Sequence, residues 1–560
     1  MANAILSPVT LWENFDDTLP LKESVVKETV LPGERIGWVL FSGRETAVGR
    51  VRIFATYSGA DDSTPRPAIL LLPDAGKHPD AAFCDRLVKE GYRVLAPDFY
   101  GQCEGKEVYT QYPSDVSYAN YELCGRRLSY ADETAKETCY YEWTALARYA
   151  LAFLRSRPEV DAEKIMILGV RGGAVCGWQL AATTDLAGAA LVGAAGWDSY
   201  RDCPKYSDKV PDLGEERFRW VAGIEAQSYA PYVRCPVLFL GSSNDAEYCF
   251  DRARDTLTRV KEGVPVYEDF TPNAERTVDE KGQSDLFAFF RAVKEGALPE
   301  KKEIKIDVLT ENGKVILSAV TECAPENIET YYSCGEKTPL LRTWEKATFL
   351  AMEENENGER KLRFSAPVTR TDGIFLAYAR VKIGEEWTVS TSVAACDLSE
   401  KGVEADAAAK RIIYSETERQ FLTAQEAMAP AGGFFAAPFS GVTEKEGAME
   451  ISGATAKYGL KYLGVAKNAF TPDTLVLLDV YAPRRLEFTV SLAYSYGKET
   501  ERRYETRITL GDMDSWQKVA LELKQFKTTN NLPFKETEAP DAVLFTASDD
   551  YLVNNILWIS

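Results

Sequence analysis

The chain has 560 residues and a single histidine, His78. Any reaction that needs an imidazole as general base, as a Ser-His-Asp triad does, therefore has one residue to draw on. Long apolar runs are also missing. The longest, Leu186 to Trp197, covers about 12 residues against the roughly 20 needed to span a bilayer. The first residues, Met1 to Pro8, carry neither a basic nor an extended apolar stretch, so no secretory leader is read there. The 11 cysteines are an odd number and nowhere adopt C-x-x-C spacing. That pattern predicts reduced thiols in a cytoplasmic setting rather than a disulfide framework; a chain beginning after a removed leader would be secreted instead. Basic residues are in deficit, 65 against 85 acidic ones, for a net charge of −20. Such a field repels phosphate backbones and anionic lipid, which excludes nucleic acid and membrane surfaces as expected partners. No D-x-D-x-D-G loop is present, so no metal is assigned, and no cofactor either.

What is present is a change of pattern along the chain. The β-prone runs Gly37–Phe41 and Val48–Ala55 flank a polar turn and predict an antiparallel pair. From Pro67 onward, strands alternate with helices. Strands are expected at 68–72, 92–96, 164–168, 187–192, 237–240 and 264–270. Helices are expected at 80–90, 142–155, 172–180, 248–261 and 284–294. This alternation predicts a mostly parallel sheet with helices on both faces. A polar excursion, residues 100–141, interrupts it and carries Tyr109, Tyr112, Tyr118, Tyr121 and Tyr130. These tyrosines fit a lid and a small separate core equally well. A charged linker at 297–302 ends the alternation, and β-rich sequence follows to the end. Asn312-Gly313 and Asn357-Gly358 predict hairpins. Leu486 to Tyr496 alternates strictly, which predicts a half-buried antiparallel strand. The expected fold is thus multidomain: a mostly parallel α/β unit over residues 1–298 with its 100–141 excursion, then two all-β sandwich domains over 303–397 and 405–560.

The stretch most able to carry chemistry is Lys164 to Leu180. It reads as a buried strand, a sharp Gly169-Val170-Arg171-Gly172-Gly173 turn and an apolar helix. This is the context in which G-x-S-x-G exposes a nucleophilic serine, but the central position holds Arg171. With Leu71-Leu72-Pro73-Asp74-Ala75-Gly76 and Leu95-Ala96-Pro97-Asp98-Phe99-Tyr100-Gly101, this elbow makes residues 35–295 resemble the α/β-hydrolase superfamily, specifically its dienelactone-hydrolase and acetyl-xylan-esterase branch. The resemblance implies ester or lactone hydrolysis by a nucleophile, a base and an orienting carboxylate. Position by position, it puts Arg171 where the nucleophile belongs and Asp245 where the acid belongs. Asn273 lies in the segment that should hold the histidine. A guanidinium cannot attack a carbonyl, so the triad is degenerate. His78 reads as a loop residue and Cys176 as a small buried hydrophobe rather than substitutes for base or nucleophile. Asp98 reads as a turn carboxylate, and Asp245 is also placed to cap the helix beyond it.

Two roles remain open for Arg171. Beside a helix N-terminus, with Gly172, Ala75 and Gly76, it forms a candidate binding site for an anionic ligand; paired with Asp245, it plugs a dead site. The middle module, with Arg342-Thr343-Trp344, resembles an immunoglobulin-like domain whose tryptophan is core. The last resembles the jelly roll of carbohydrate-binding modules, although no solvent-facing aromatic stripe is legible in it. The expected function is that of a non-catalytic, carbohydrate-associated hydrolase homologue (a pseudo-esterase) that binds a carbohydrate, a small anion or a partner. An active hydrolase with a rebuilt site and a structural protein that assembles as a homo-oligomer are the alternatives.

Overall fold

The computed structural model of the chain describes residues 4–78, 80–99, 101–102, 106–128, 131–196, 215–245, 247–248, 250–300, 304–336, 338–356, 358–368, 370–371, 373–383, 387–405, 411–415, 422–425, 441–463, 470–498, 500–511 and 514–559. The first unit contains α1 (Pro8–Trp12), β1 (Ser24–Leu31), β2 (Glu34–Glu45), β3 (Arg50–Ala60), β4 (Arg66–Leu72), α2 (Ala81–Lys89) and β5 (Arg93–Pro97). After the excursion come α3 (Cys139–Arg155), β6 (Val160–Val170), α4 (Gly172–Thr183), β7 (Gly188–Val192), α5 (Glu215–Gly223) and α6 (Ala226–Tyr229). β8 (Val237–Ser242), α7 (Phe250–Thr258), β9 (Val266–Thr271) and α8 (Glu280–Glu295) complete it. The strands form one nine-stranded sheet in the order β1-β2-β3-β5-β4-β6-β7-β8-β9. Pairing is antiparallel from β1 to β5 and parallel from β5 to β9.

The parallel core follows from residue pattern. Leu70, Leu72, Ile165 and Ile167 face the cluster formed with α3 and α4, while Ile69, Leu71, Met166 and Leu168 face the one formed with α2 and α8. Strands buried on both faces read as continuous apolar runs, as these do. Each such side chain contributes about 1.5–3 kcal/mol by leaving water. The helix ends are set locally. Asp80 caps α2 by accepting from Ala82 N, Thr138 caps α3 by accepting from Tyr141 N, and Asp279 caps α8 by accepting from Gly282 N. Gly296, at φ 66°, closes α8 in the left-handed conformation that glycine tolerates best.

β2 and β3 form the expected antiparallel pair. β1 was not legible, because all eight of its residues are exposed and no apolar alternation marks it. The excursion is built of short 3-10 turns laid on α3: Trp143 Nε1 donates to Ala119 O, and Val116, Ala119, Ala131 and Ala135 are buried. Tyr130 lies outside the described residues.

The middle unit pairs β10 (Ile306–Glu311), β11 (Lys314–Thr321), β14 (Thr348–Glu354) and β15 (Arg360–Ser365) in one sheet. Its second sheet holds β12 (Ile328–Cys334), β13 (Glu345–Lys346), β16 (Ile374–Ile383), β17 (Trp387–Ser390) and β18 (Ala394–Asp397). Asn312 and Gly313, both at positive φ, form the two-residue turn between β10 and β11. β14 and β15 also pair as a hairpin, with Asn357 outside the described residues.

The last unit is again two sheets. One contains β19 (Arg411–Tyr414), β21 (Thr443–Glu446), β22 (Ser452–Thr455), β24 (Leu475–Ala482), β27 (Ser515–Glu522) and β29 (Leu552–Ile559). The other contains β20 (Leu422–Ala424), β23 (Leu460–Leu463), β25 (Leu486–Tyr494), β26 (Arg502–Leu510) and β28 (Ala542–Ala547). Part of the boundary stretch at 399–409 lies outside the described residues. β25 departs from the expected half-buried strand. Its even residues enter the core, but Ser491 and Ala493 on the other face are buried too. That face turns toward the rest of the protein. Ala493, Leu463, Ala542 and Leu544 form a small cluster, Thr343 Oγ1 donates to Leu463 O, and Lys461 pairs with Glu275 at 2.6 Å.

Candidate functional site

The parallel strands β4, β6, β8 and β9 end on one edge of the sheet, where loops of such folds gather their polar residues. Each loop brings at least one predicted residue. At the end of β6 the chain turns sharply into α4. Arg171 sits on that turn at φ 48° and ψ −108°, a backbone state costing about 1–3 kcal/mol for a residue with a side chain. Gly173 makes the turn possible, since a Cβ there would lie 2.0 Å from Leu72 O. This strand–turn–helix has the form of a nucleophile elbow.

The Arg171 side chain is 9% exposed and spreads over three acids from two loops. Its Nη1 donates to Asp245 Oδ2 at 2.7 Å and its Nη2 to Glu247 Oε2 at 2.6 Å, while Asp74 Oδ2 is 3.9 Å from its Nε. The guanidinium also lies over the Tyr248 ring, 5.1 Å from its centroid. Burial opposes its charge, but Asp245, Glu247 and Asp74 together outweigh burial and hold the group well above its ordinary range. Asp245 serves twice: its Oδ2 takes the arginine, while its Oδ1 accepts from Glu247 N at 2.7 Å and Tyr248 N at 2.8 Å, shaping the turn before α7.

Asp74 follows β4. Its Oδ1 accepts from Gly172 N at 2.9 Å and from Ala75 N at 2.8 Å. Gly172 N follows the elbow residue and Ala75 N belongs to the loop after β4, the two positions from which an α/β-hydrolase aims N–H groups at a developing oxyanion. Here a carboxylate oxygen of the protein itself is seated on both. Burial raises the Asp74 carboxyl above its usual range against the opposing pull of Arg171.

Asn273, after β9, is at φ 57° and buried. Its amide holds the backbone of the middle unit on both sides: Nδ2 donates to Trp344 O and Oδ1 accepts from Trp344 N, each at 2.8 Å. Asn244 Nδ2 donates to Leu340 O and Arg342 O, and the Arg342 guanidinium forks onto both oxygens of Asp251 at 2.7 and 2.9 Å. The segment from Leu340 to Trp344 is thereby bound into the loops that follow β8 and β9. Trp344 is fully buried, against Phe250 and Tyr378.

The remaining candidates sit apart from this network in role. Gly76, at φ 86°, shapes the loop after β4. His78 is half-buried further along the same loop, and burial followed by Lys106 pushes its imidazole below the usual value while Asp98 pulls the other way. Asp98 accepts from Thr110 N at 2.9 Å and pairs with Lys106 at 3.0 Å. Cys176 is fully buried in α4 with its thiol pushed up to about 12, chiefly by burial. Such a thiol supplies no thiolate at neutral pH. Glu247 was not picked out from sequence, though it lies two residues from Asp245. Tyr248 was read only as a helix start and Arg342-Thr343-Trp344 only as part of the middle module, because nothing local in the chain says that either packs on this site.

Among the described residues, no group of three or more His, Cys, Asp or Glu side chains is arranged to hold a metal ion. No helix among them is long and apolar enough to cross a membrane.

Sheet order, elbow and loop geometry define an α/β-hydrolase-like domain followed by β-sandwich units. Residues 54–266 match the sequence model of the dienelactone hydrolase family. Acetyl xylan esterase 1 from Thermoanaerobacterium sp. JW/SL YS485 aligns at 16% identity and a TM-score of 0.40, over 51% of this chain and 92% of its own. The acylaminoacyl peptidase of Pyrococcus horikoshii aligns at 12% identity and a TM-score of 0.35, over 50% of each chain. At those scores, neither likeness adds to the fold assignment. The chain matches no curated protein in sequence.

Proposed function

We propose that this protein is a non-catalytic relative of the dienelactone hydrolases, a pseudo-esterase that acts by binding. The observation that carries the reading is the self-occupied elbow. Arg171 stands where a nucleophile would, tied to Asp245 and Glu247, and Asp74 Oδ1 sits on the Gly172 and Ala75 N–H groups. A carboxylate fixed there would both repel a tetrahedral oxyanion and deny it its donors. The base is missing as well, since Asn273 is committed to the backbone of Trp344. The same network supports the plug over an anion receptor: three carboxylates surround one guanidinium, so a further anion meets net negative charge.

On this reading the sandwiches, read as an immunoglobulin-like unit over 303–397 and a carbohydrate-binding-module-like unit over 405–560, carry contact with a carbohydrate or protein partner, in the cytoplasm. The test is turnover. Purified full-length chain should hydrolyse 4-nitrophenyl acetate no faster than buffer and take up no fluorophosphonate label. Hydrolysis that disappears in Asp74→Ala or Asp245→Ala would overturn the proposal in favour of a rebuilt active site.

A further inference from the structure

Helices α2 and α8 and the middle unit enclose a polar cavity that shares no lining residue with the elbow network. Its volume is about 560 Å³, within the range of small-molecule sites. One stripe of α8 lines it with Lys281, Ser284, Phe287 and Arg291, which recur every three to four residues and so share a helix face. The end of α2 adds Arg86 and Glu90. The middle unit supplies Glu326 and Asn327 from the turn before β12, Glu329 from β12, and Arg380 and Lys382 from β16.

These side chains fall into two groups by what already holds them. One group fastens the two units together. Arg380 Nε donates to Asp269 Oδ1 at 2.9 Å and its Nη1 to Asp279 Oδ2 at 2.6 Å. Glu329 takes Lys281 and, at 2.7 Å, Lys346. The second group has no such commitment. Among the described residues, the side chains of Arg86, Lys382, Glu90, Glu326, Ser284 and Asn327 make no hydrogen bond or ion pair within the protein. Arg86 lies over the Phe287 ring, its guanidinium carbon 4.1 Å from the centroid. Stacking of that kind sets the plane of the fork before a ligand arrives.

We propose that this cavity binds a small hydroxylated carboxylate, a sugar acid such as a uronate. Uncommitted cations and uncommitted carboxylates around one cavity decide the class. A ligand carboxylate pairs with the Arg86 fork, the geometry that guanidinium recognises best, and Lys382 adds a positive charge from the other unit. Glu90 and Glu326, as carboxylates, only accept hydrogen bonds and therefore suit ligand hydroxyls, while Ser284 and Asn327 both give and accept. A bare anion such as phosphate leaves the two glutamates facing like charge. A neutral sugar leaves Arg86 and Lys382 unpaired. Because both units line the cavity, the bound ligand bridges the seam that Arg380 already holds. None of this rests on the state of the elbow, and it would hold equally for an active hydrolase.

The experiment titrates full-length protein calorimetrically, at low ionic strength, with D-galacturonate and with D-glucuronate. At least one should saturate with a Kd of about 1 mM or below, and D-galactose and phosphate should each bind about tenfold more weakly or worse. Arg86→Ala should weaken uronate binding by about tenfold, and the exposed-site variants Lys382→Met and Glu326→Gln by about fivefold each. Hydrogen exchange of the wild-type chain should slow over residues 81–90 and 280–295 when uronate is bound, a measurement that stands even if a variant fails to fold. A Kd above about 1 mM for both uronates, equal binding of phosphate or D-galactose, protection confined to other segments, or affinity unchanged in Arg86→Ala and Lys382→Met would overturn the proposal. Ester turnover is read separately, so the pseudo-esterase proposal can fail without moving these titrations, and the reverse.

Discussion

Arg171→Met tests the energetic reading of the elbow directly. The substitution keeps a long apolar stem and removes the guanidinium from two ion pairs at 2.7 and 2.6 Å and a third at 3.9 Å. Breaking a buried ion-pair network from one side costs about 3–5 kcal/mol, because the abandoned charges stay desolvated. The burden falls mainly on Asp245, whose side chain is 2% exposed. Glu247 is 19% exposed and keeps Arg276 at 3.5 Å. We therefore expect a loss near the lower bound, about 3 kcal/mol at pH 8. The loss must also depend on pH. Burial already raises Asp74, and losing Arg171, which pulls it down, would raise it further. An acid raised in the folded state stabilises below its unfolded pKa and forfeits that stability as pH climbs through the folded value. The deficit should thus shrink on acidification from pH 8 to pH 5, by about 1.4 kcal/mol for each unit of upward shift. Urea unfolding followed by tryptophan fluorescence gives the energy, and hydrogen exchange over residues 165–180 locates it. Arg171→Met with Asp245→Asn should regain at least half of the loss. A deficit below about 1 kcal/mol, a deficit independent of pH, or a double variant no better than the single would refute the reasoning.

The other predictions address neighbouring parts of the same architecture. If the proposed pseudo-esterase reading holds, Arg171→Ser supplies a hydroxyl at the elbow while Asp74 Oδ1 still occupies the Gly172 and Ala75 N–H groups, so 4-nitrophenyl acetate turnover should remain at the buffer rate; any enzymatic rate would count against that reading. Asp285 is fully buried, one of its oxygens accepts from Thr388 N at 2.6 Å, and the other has no hydrogen-bond partner among the described residues. Burial first, then Asp269, push its carboxyl up to about 9. Stability from that neutral acid is complete below the unfolded carboxyl range and is lost as pH rises toward 9, so Asp285→Asn should match wild type at pH 4 and exceed it by about 1 kcal/mol or more at pH 8; parallel pH–stability curves would refute this. Asn273→Ala leaves Trp344 N and O without partners, which should cost about 1–3 kcal/mol and speed exchange of the Trp344 amide. An unchanged Trp344 exchange rate would mean that the amide is not what holds the middle unit.

How much of this was legible depends on whether the signal was local. The parallel sheet was, because strands such as Ile69–Leu72 must be apolar on both faces. The elbow was too, since only glycine fits 2.0 Å from Leu72 O at position 173. The Asn312-Gly313 turn was legible for the same kind of reason: its two residues must both take positive φ. β1 was not, because an exposed edge strand needs no apolar face to pair its backbone with β2. Nor was the double burial of β25, whose outer face is small and weakly polar so that it can pack on another unit. Asp74 was visible as part of a loop motif, yet nothing in one sequence says that its carboxylate folds back onto two N–H groups.

Asn273 brings these levels together. A histidine at the end of β9 would need a free ring edge facing the elbow and a carboxylate behind it. Asn273 instead spends its carbonyl and amide on Trp344, and the same packing takes Asn244 for Leu340 and Arg342, and Asp251 for the Arg342 guanidinium. The loops that carry acid and base in an ester hydrolase serve here as a socket for the middle unit. On the pseudo-esterase reading we propose, the absence of a base at this position and the docking of the β-sandwich would be two consequences of one set of hydrogen bonds. Reinstating histidine at position 273 would withdraw both bonds from Trp344 while Arg171 still covered the elbow. Asn273→His should therefore cost about as much stability as Asn273→Ala, roughly 1–3 kcal/mol, and return no hydrolysis. Wild-type stability in that variant would show that the socket does not depend on the asparagine amide, and would separate the loss of the base from the docking of the middle unit.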